Sequence, residues 1–100
     1  MKITLYIDWR GEKILTEKGY NAMVEETKSN KDDFNDYKND CLEDYIEDFL
    51  DEKKYHRTFE TIFNLSDSDK KEILDNVRKG YLTQVEQDFA EDYDKITIEV

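Results

Sequence analysis

Ten carboxylates and one lysine occupy residues 32–52, DDFNDYKNDCLEDYIEDFLDE. Carboxylates at this density, with no pocket in the sequence to make acid–base catalysts of them, present negative charge to cationic side chains, or weakly and unspecifically to divalent ions. Phe34, Tyr37, Cys41, Tyr45 and Phe49, with Leu42 and Ile46 beside them, recur at the i, i+3, i+4, i+7 spacing of an amphipathic helix. Turning each residue by ~100° places Asp33, Asp36, Asp40, Glu43, Asp44, Glu47 and Asp51 on the opposite side, within a sector of roughly 100°. Asp48 belongs to the same run. Those seven carboxylates span ~27 Å of helix, one charge per ~4 Å, against about 3.4 Å per phosphate along one strand of B-DNA. Such a face can imitate a nucleic-acid strand. The plain alternative is a solvated face on an acidic protein.

The arrangement carries a cost. Asp36–Asp40, Asp40–Asp44, Glu43–Glu47, Asp44–Asp48, Glu47–Asp51 and Asp48–Glu52 are like charges at i, i+4, each destabilising by ~0.2–0.5 kcal/mol. A helix needing only solubility would interleave lysines at these positions. Packing of the apolar face must offset the repulsion. Tyr37 and Leu50 are expected at the edge of the acidic sector, where they add apolar contact. A second block, Glu86, Asp88, Glu91, Asp92 and Asp94, extends the expected partner-binding surface.

Net charge is −11 over 100 residues, and it is unevenly placed. Residues 1–30 are neutral, 31–52 carry −8, 53–79 carry +2 and 80–100 carry −5. DNA, RNA and anionic membranes are repelled by such a chain, whereas a basic protein surface is attracted and its encounter accelerated. The expected partner is therefore a basic nucleic-acid-binding groove on another protein.

Other chemistry is poorly supplied. His56 is the only histidine and lies in the basic run KKYHR, where it reads as a surface residue rather than the base of a Ser-His-Asp or Cys-His set. Cys41 falls in the apolar stripe and reads as core rather than nucleophile. One cysteine excludes an internal disulfide and a cysteine zinc cage. The three glycines are unclustered, so there is no phosphate loop. Asp67-Ser68-Asp69 starts like a calcium loop, but Lys71 takes the next ligand position. Neither catalysis, nor a metal site, nor a cofactor is expected. Lys53-Lys54-Tyr55-His56-Arg57 is a basic patch suited to neutralising the second acidic block or to a small nucleic-acid contact.

The elements that must position these residues follow from periodicity. Lys2–Trp9 alternates as a strand, Arg10-Gly11 suits a tight turn, and Glu12–Leu15 suits a return strand. Thr16 caps a helix over Glu17–Lys28, with Tyr20, Met23 and Val24 inward. The acidic helix starts at Asn30 or Asp32. Tyr55, Phe59, Ile62 and Phe63 form a further helical stripe ending near Asn64. Ser66 caps another helix in which Ile73, Leu74 and Val77 face inward. Arg78-Lys79-Gly80 resembles a C-terminus, yet Tyr81, Val85 and Phe89 continue the period towards Tyr93. Lys95–Val100 alternates as a closing strand. The expectation is a single α+β domain over residues 1–100: a small antiparallel sheet, made by the N-terminal hairpin and the C-terminal strand, packed with three to five helices lying mainly on one face. No apolar run approaches the ~20 residues of a membrane span, and the N-terminus lacks a signal-peptide pattern, so the cytosol of the host cell is the expected location.

Twelve lysines against three arginines, with abundant Asn, Asp, Ile and Tyr, fit AT-rich coding. In that texture, and in FETIFNLSDSDKKEILDNVRKGYLTQVEQDFAEDYD, the chain resembles small acidic proteins of phages and mobile elements. The class it most resembles is the anti-CRISPR and anti-restriction inhibitors. The resemblance is one of size, charge and layout over the whole chain. It implies inhibition of an RNA-guided nuclease by occupying a site that normally holds nucleic acid. Some members block the groove that reads the short duplex motif beside the target; others bind nuclease lobes or guide RNA. Two alternatives share the size and acidity: an immunity protein neutralising a nuclease toxin, and a non-catalytic structural or regulatory interaction domain.

Overall fold

The computed structural model describes residues 1–56 and 58–100. In chain order the elements are β1 (Lys2–Asp8), β2 (Ile14–Thr16), α1 (Glu17–Lys28), α2 (Lys31–Glu52), α3 (Phe59–Phe63), α4 (Asp67–Asp92) and β3 (Tyr93–Glu99). The fold is α+β, with a three-stranded antiparallel sheet in the order β2-β1-β3. Two compact units divide it, one made of residues 1–30 and 82–100, the other of Lys31–Tyr81.

In the first unit β1 is the central strand. It pairs Leu5 with Thr16 and Ile7 with Ile14 on one side, and Ile3 with Ile98 and Leu5 with Ile96 on the other. The return strand begins later than Glu12. The Asp8 carboxylate accepts the amides of Glu12 at 2.8 Å and Lys13 at 3.1 Å, which takes them out of the ladder. Gly11 closes this turn at φ +71°, a conformation that costs a residue with a Cβ. Thr16 caps α1, its Oγ1 accepting the Gly19 amide at 3.1 Å. The sheet face that α1 covers carries Tyr6 and Tyr93. The Tyr20 ring stacks on Tyr6 at 3.8 Å between centroids and meets Tyr93 edge-on at 5.8 Å and Phe89 at 5.9 Å. Val24 and Val85 are buried in this unit. Lys28 reaches from α1 to Glu86 of α4 at 2.7 Å.

The second unit is built by α2, α3 and the first part of α4. Phe49, Leu50, Ile73 and Val77 form its buried centre, with Phe34, Tyr37, Leu42, Tyr45, Ile46, Ile62 and Leu65 packed around it. Ser66 caps α4: its Oγ accepts the Asp69 amide at 3.1 Å while the Asp69 carboxylate accepts the Ser66 amide at 3.4 Å. The stripe expected over Tyr55–Phe63 is cut short. Thr58 starts α3 late by accepting the Thr61 amide at 3.1 Å, leaving only five helical residues. One and a half turns present a single residue inward, Ile62, so Phe59 and Phe63 are exposed and stack on each other. Leu74, expected inward with Ile73 and Val77, is 46% exposed.

α4 passes through Gly80 unbroken to Asp92. Its buried residues Ile73, Val77, Tyr81 and Val85 recur every fourth position, and that row holds the helix together where its glycine weakens it. Gly80 is there because the hydroxyls of Tyr37 and Tyr45, hydrogen-bonded at 2.7 Å, lie against its Cα. A Cβ at this position would fall on Tyr45 Oη and sit 2.7 Å from Tyr37 Oη and 2.9 Å from Tyr45 Cζ. Gly80→Ala should therefore destabilise the fold by about 1–2 kcal/mol, although alanine is the better helix former by about 1 kcal/mol. Thermal unfolding measures this, and Tyr45→Phe should recover part of the loss. A higher melting temperature for Gly80→Ala would contradict the close approach.

Candidate functional site

The apolar stripe fixes the rotation of α2. With Phe49 and Leu50 buried and Phe34, Tyr37, Tyr45 and Ile46 half-buried, the carboxylates opposite have only solvent to face. Asp33, Asp36, Asp40, Glu43, Asp44, Glu47, Asp48 and Asp51 are all exposed, along one uninterrupted 22-residue helix. Ion pairs among the described residues include Lys28 with Glu25 and Glu86, and Lys53 with Glu72. None of these involves Asp36, Asp40, Asp44, Asp48 or Asp51, and the side-chain carboxylates of these five make no hydrogen bond. They mark out ~22 Å of helix. The last turn of α2 has no basic residue, so Asp51 and Glu52 also face the unfavourable end of the helix dipole.

Leu50 does not rim this face: it is 0% exposed and belongs to the core. It follows Phe49 by ~100°, and Ile73 and Val77 of α4 widen the buried arc to include it. Tyr37 also turns inward, its hydroxyl on Tyr45 and its ring 5.7 Å from Tyr81. Phe34 lies edge-on to Tyr81 at 5.4 Å, and the Arg78 guanidinium sits over the Phe34 ring at 5.0 Å.

The second acidic block is on the other unit. Glu86, Asp88, Glu91 and Asp92 are exposed, but Glu86 is held by Lys28 and Asp88 accepts from Gln84 Nε2 at 2.8 Å. Of the basic patch, Lys53 pairs with Glu72 at 3.6 Å, His56 is exposed, and Arg57 lies outside the described residues. Cys41 is half-buried in the α2 stripe. Among the described residues no three His, Cys, Asp or Glu side chains are placed to hold a metal ion. No described helix is long and apolar enough to cross a membrane.

The phenols are the perturbed titrating groups. Burial raises Tyr37, and its bond to Tyr45 adds to this. Burial also raises Tyr20 and Tyr81, with the Asp33 charge contributing at Tyr81. The Lys28 ammonium is raised chiefly by its hydrogen bond to Glu86. Groups raised in the folded state stabilise fully below their unfolded values and lose that contribution as pH climbs through the folded ones. All four unfolded values are near pH 10, so the melting temperature should fall steeply only above about pH 10. A melting temperature unchanged to about pH 12 would contradict the buried phenols.

One surface was not legible as such in the sequence. Ile3, Leu5 and Ile7 of β1 share a sheet face with Ile14, Ile96 and Ile98, Trp9 follows in the turn after β1, and α1 covers the opposite face. Trp9 is 69% exposed, Ile14 62%, Ile98 43% and Ile3 40%. The strand alternation was the signal for this face; the tyrosines at 6, 20 and 93 decide which face is covered. No protein-family profile, curated protein or solved structure matches the chain.

Proposed function

We propose that the protein is an acidic inhibitor that binds the basic groove of a nucleic-acid-binding protein, with the α2 carboxylates standing where phosphates stand. The observation that carries this reading is the row of exposed aspartates, Asp36, Asp40, Asp44, Asp48 and Asp51, which no lysine or arginine of the described chain neutralises. Repulsion along the row costs the fold stability, and packing of the opposite face offsets it. A solvating face would be cheaper with alternating signs. Lysines and arginines of a groove shaped for a nucleic-acid strand meet charges at nearly the phosphate interval. The long-range field of a −11 chain accelerates that encounter. By its resemblance to anti-CRISPR inhibitors, the partner is an RNA-guided nuclease, met in the host cytosol.

Affinity capture from host lysate, with and without competing nucleic acid, tests the reading. The protein should retain a basic nucleic-acid-binding protein that duplex DNA or RNA releases, and retention should fall steeply with salt. Retention that is insensitive both to competing nucleic acid and to salt would overturn it.

A further inference from the structure

We propose that β3 is a self-pairing edge: two copies join antiparallel through this strand, Thr97 opposite Thr97 of the second copy, into one six-stranded sheet. β3 is an outer strand of the sheet, seven residues long, and from Asp94 onward it is exposed. Its hydrogen-bonding phase is fixed. The Met1 ammonium donates to the Val100 carbonyl at 3.0 Å, the Val100 amide donates to the Met1 carbonyl at 2.7 Å, and the Trp9 amide donates to the Asp92 carbonyl at 2.9 Å. In an antiparallel ladder such pairs recur at every second residue, so Asp94, Ile96 and Ile98 bond to β1. Tyr93, Lys95, Thr97 and Glu99 therefore turn their N–H and C=O groups outward, a row of unpaired donors and acceptors.

The side chains of that row select a second copy of the same strand. With Thr97 on a two-fold axis, each Lys95 lies opposite Glu99 of the other copy, giving two ion pairs in hydrogen-bonded register. On the other sheet face each Ile96 lies opposite Ile98, so the two exposed apolar faces become continuous. Opposite charges and branched apolar residues directly across an antiparallel pair are the favourable combinations. A two-residue slip that centres Lys95 opposes like charges. The slip that centres Ile96 leaves Lys95 opposite threonine. The sequence is thus complementary to itself in one register. Because each copy carries −11, long-range repulsion opposes the pairing and salt screens it. Dimerisation should therefore strengthen with salt, the reverse of binding to a basic groove.

Sedimentation velocity on the full chain tests this. A monomer–dimer equilibrium is expected in the micromolar to submillimolar range, since an edge contact is small. Thr97→Pro removes an outward N–H without touching the β1 ladder, and should give a folded monomer by circular dichroism. Lys95→Glu and Glu99→Lys should each weaken the dimer at least tenfold, and the two together should restore it in the same register. A wild-type chain monomeric at about 0.5 mM, a dimer indifferent to the single charge changes, or a double variant as weak as the singles would each overturn the proposal. Since α2 is unaltered in all of these variants, capture of a basic partner is read independently of the dimer.

Discussion

Reversing Asp40, Asp44 and Glu47 to lysine is expected to weaken binding to the basic partner by a hundredfold or more at low salt. Each ion pair removed at an exposed site is worth ~0.2–1 kcal/mol, and each like-charge pair put in its place opposes binding by a comparable amount. Three reversals then total about 3–4 kcal/mol, and 1.4 kcal/mol is tenfold. The salt dependence should flatten at the same time, because fewer charges are matched across the interface. The fold itself should gain rather than lose. Lysine at 40 faces Asp36, lysine at 44 faces Asp48, and lysine at 47 faces Glu43 and Asp51, so four of the i, i+4 repulsions become attractions. A variant that melts higher and binds worse separates the two roles of these residues. An unchanged affinity would assign the acidic face to solvation alone.

Leu50→Ala is expected to be among the most damaging truncations on α2, costing about 2–5 kcal/mol of the 5–15 kcal/mol that stabilises a domain of this kind. Leu50 is 0% exposed and meets Phe49, Ile73 and Val77 in the buried cluster of its unit. Removing three carbons there leaves a cavity that two long helices cannot readily close. Leu74→Ala, at a side chain 46% exposed, should cost less than about 1 kcal/mol and serves as the comparison. Urea unfolding measures both, with the slope unchanged if the native state stays compact. Equal losses at the two positions would contradict the placement of the core. This bears on the acidic face as well, because the buried stripe is what holds the carboxylates outward against their own repulsion.

The acidic helix is readable from its residues because its signal is local. Phe34, Tyr37, Cys41, Tyr45 and Phe49 repeat at the helical period, and the charges opposite them need no knowledge of the rest of the chain. The caps at Thr16 and Ser66 are local too, each resting on a hydroxyl and an amide three residues on. What escapes such reading is decided by distant partners. Leu50 borders the acidic sector in a helical projection, yet Ile73 and Val77 arrive from α4 to bury it. Arg78-Lys79-Gly80 is as good a stop as a passage, and the choice rests on two tyrosine hydroxyls from α2 that only a glycine admits. The terminal strands announce their alternation, but stacking of Tyr20 on Tyr6 determines which side is covered. Thr58 truncates α3 by capping, and Phe59 and Phe63 are left outside in consequence.

On the proposed reading, unneutralised aspartates on α2 replace phosphates in a groove. Displacement of a labelled nucleic acid from the captured partner tests it most directly, with the wild-type chain and the Asp40, Asp44 and Glu47 to lysine variant titrated side by side. The wild type should displace the label fully, and the variant should need at least a hundredfold more protein. Equal displacement by the two proteins, or tight binding of the wild type that leaves the nucleic acid in place, would contradict the claim.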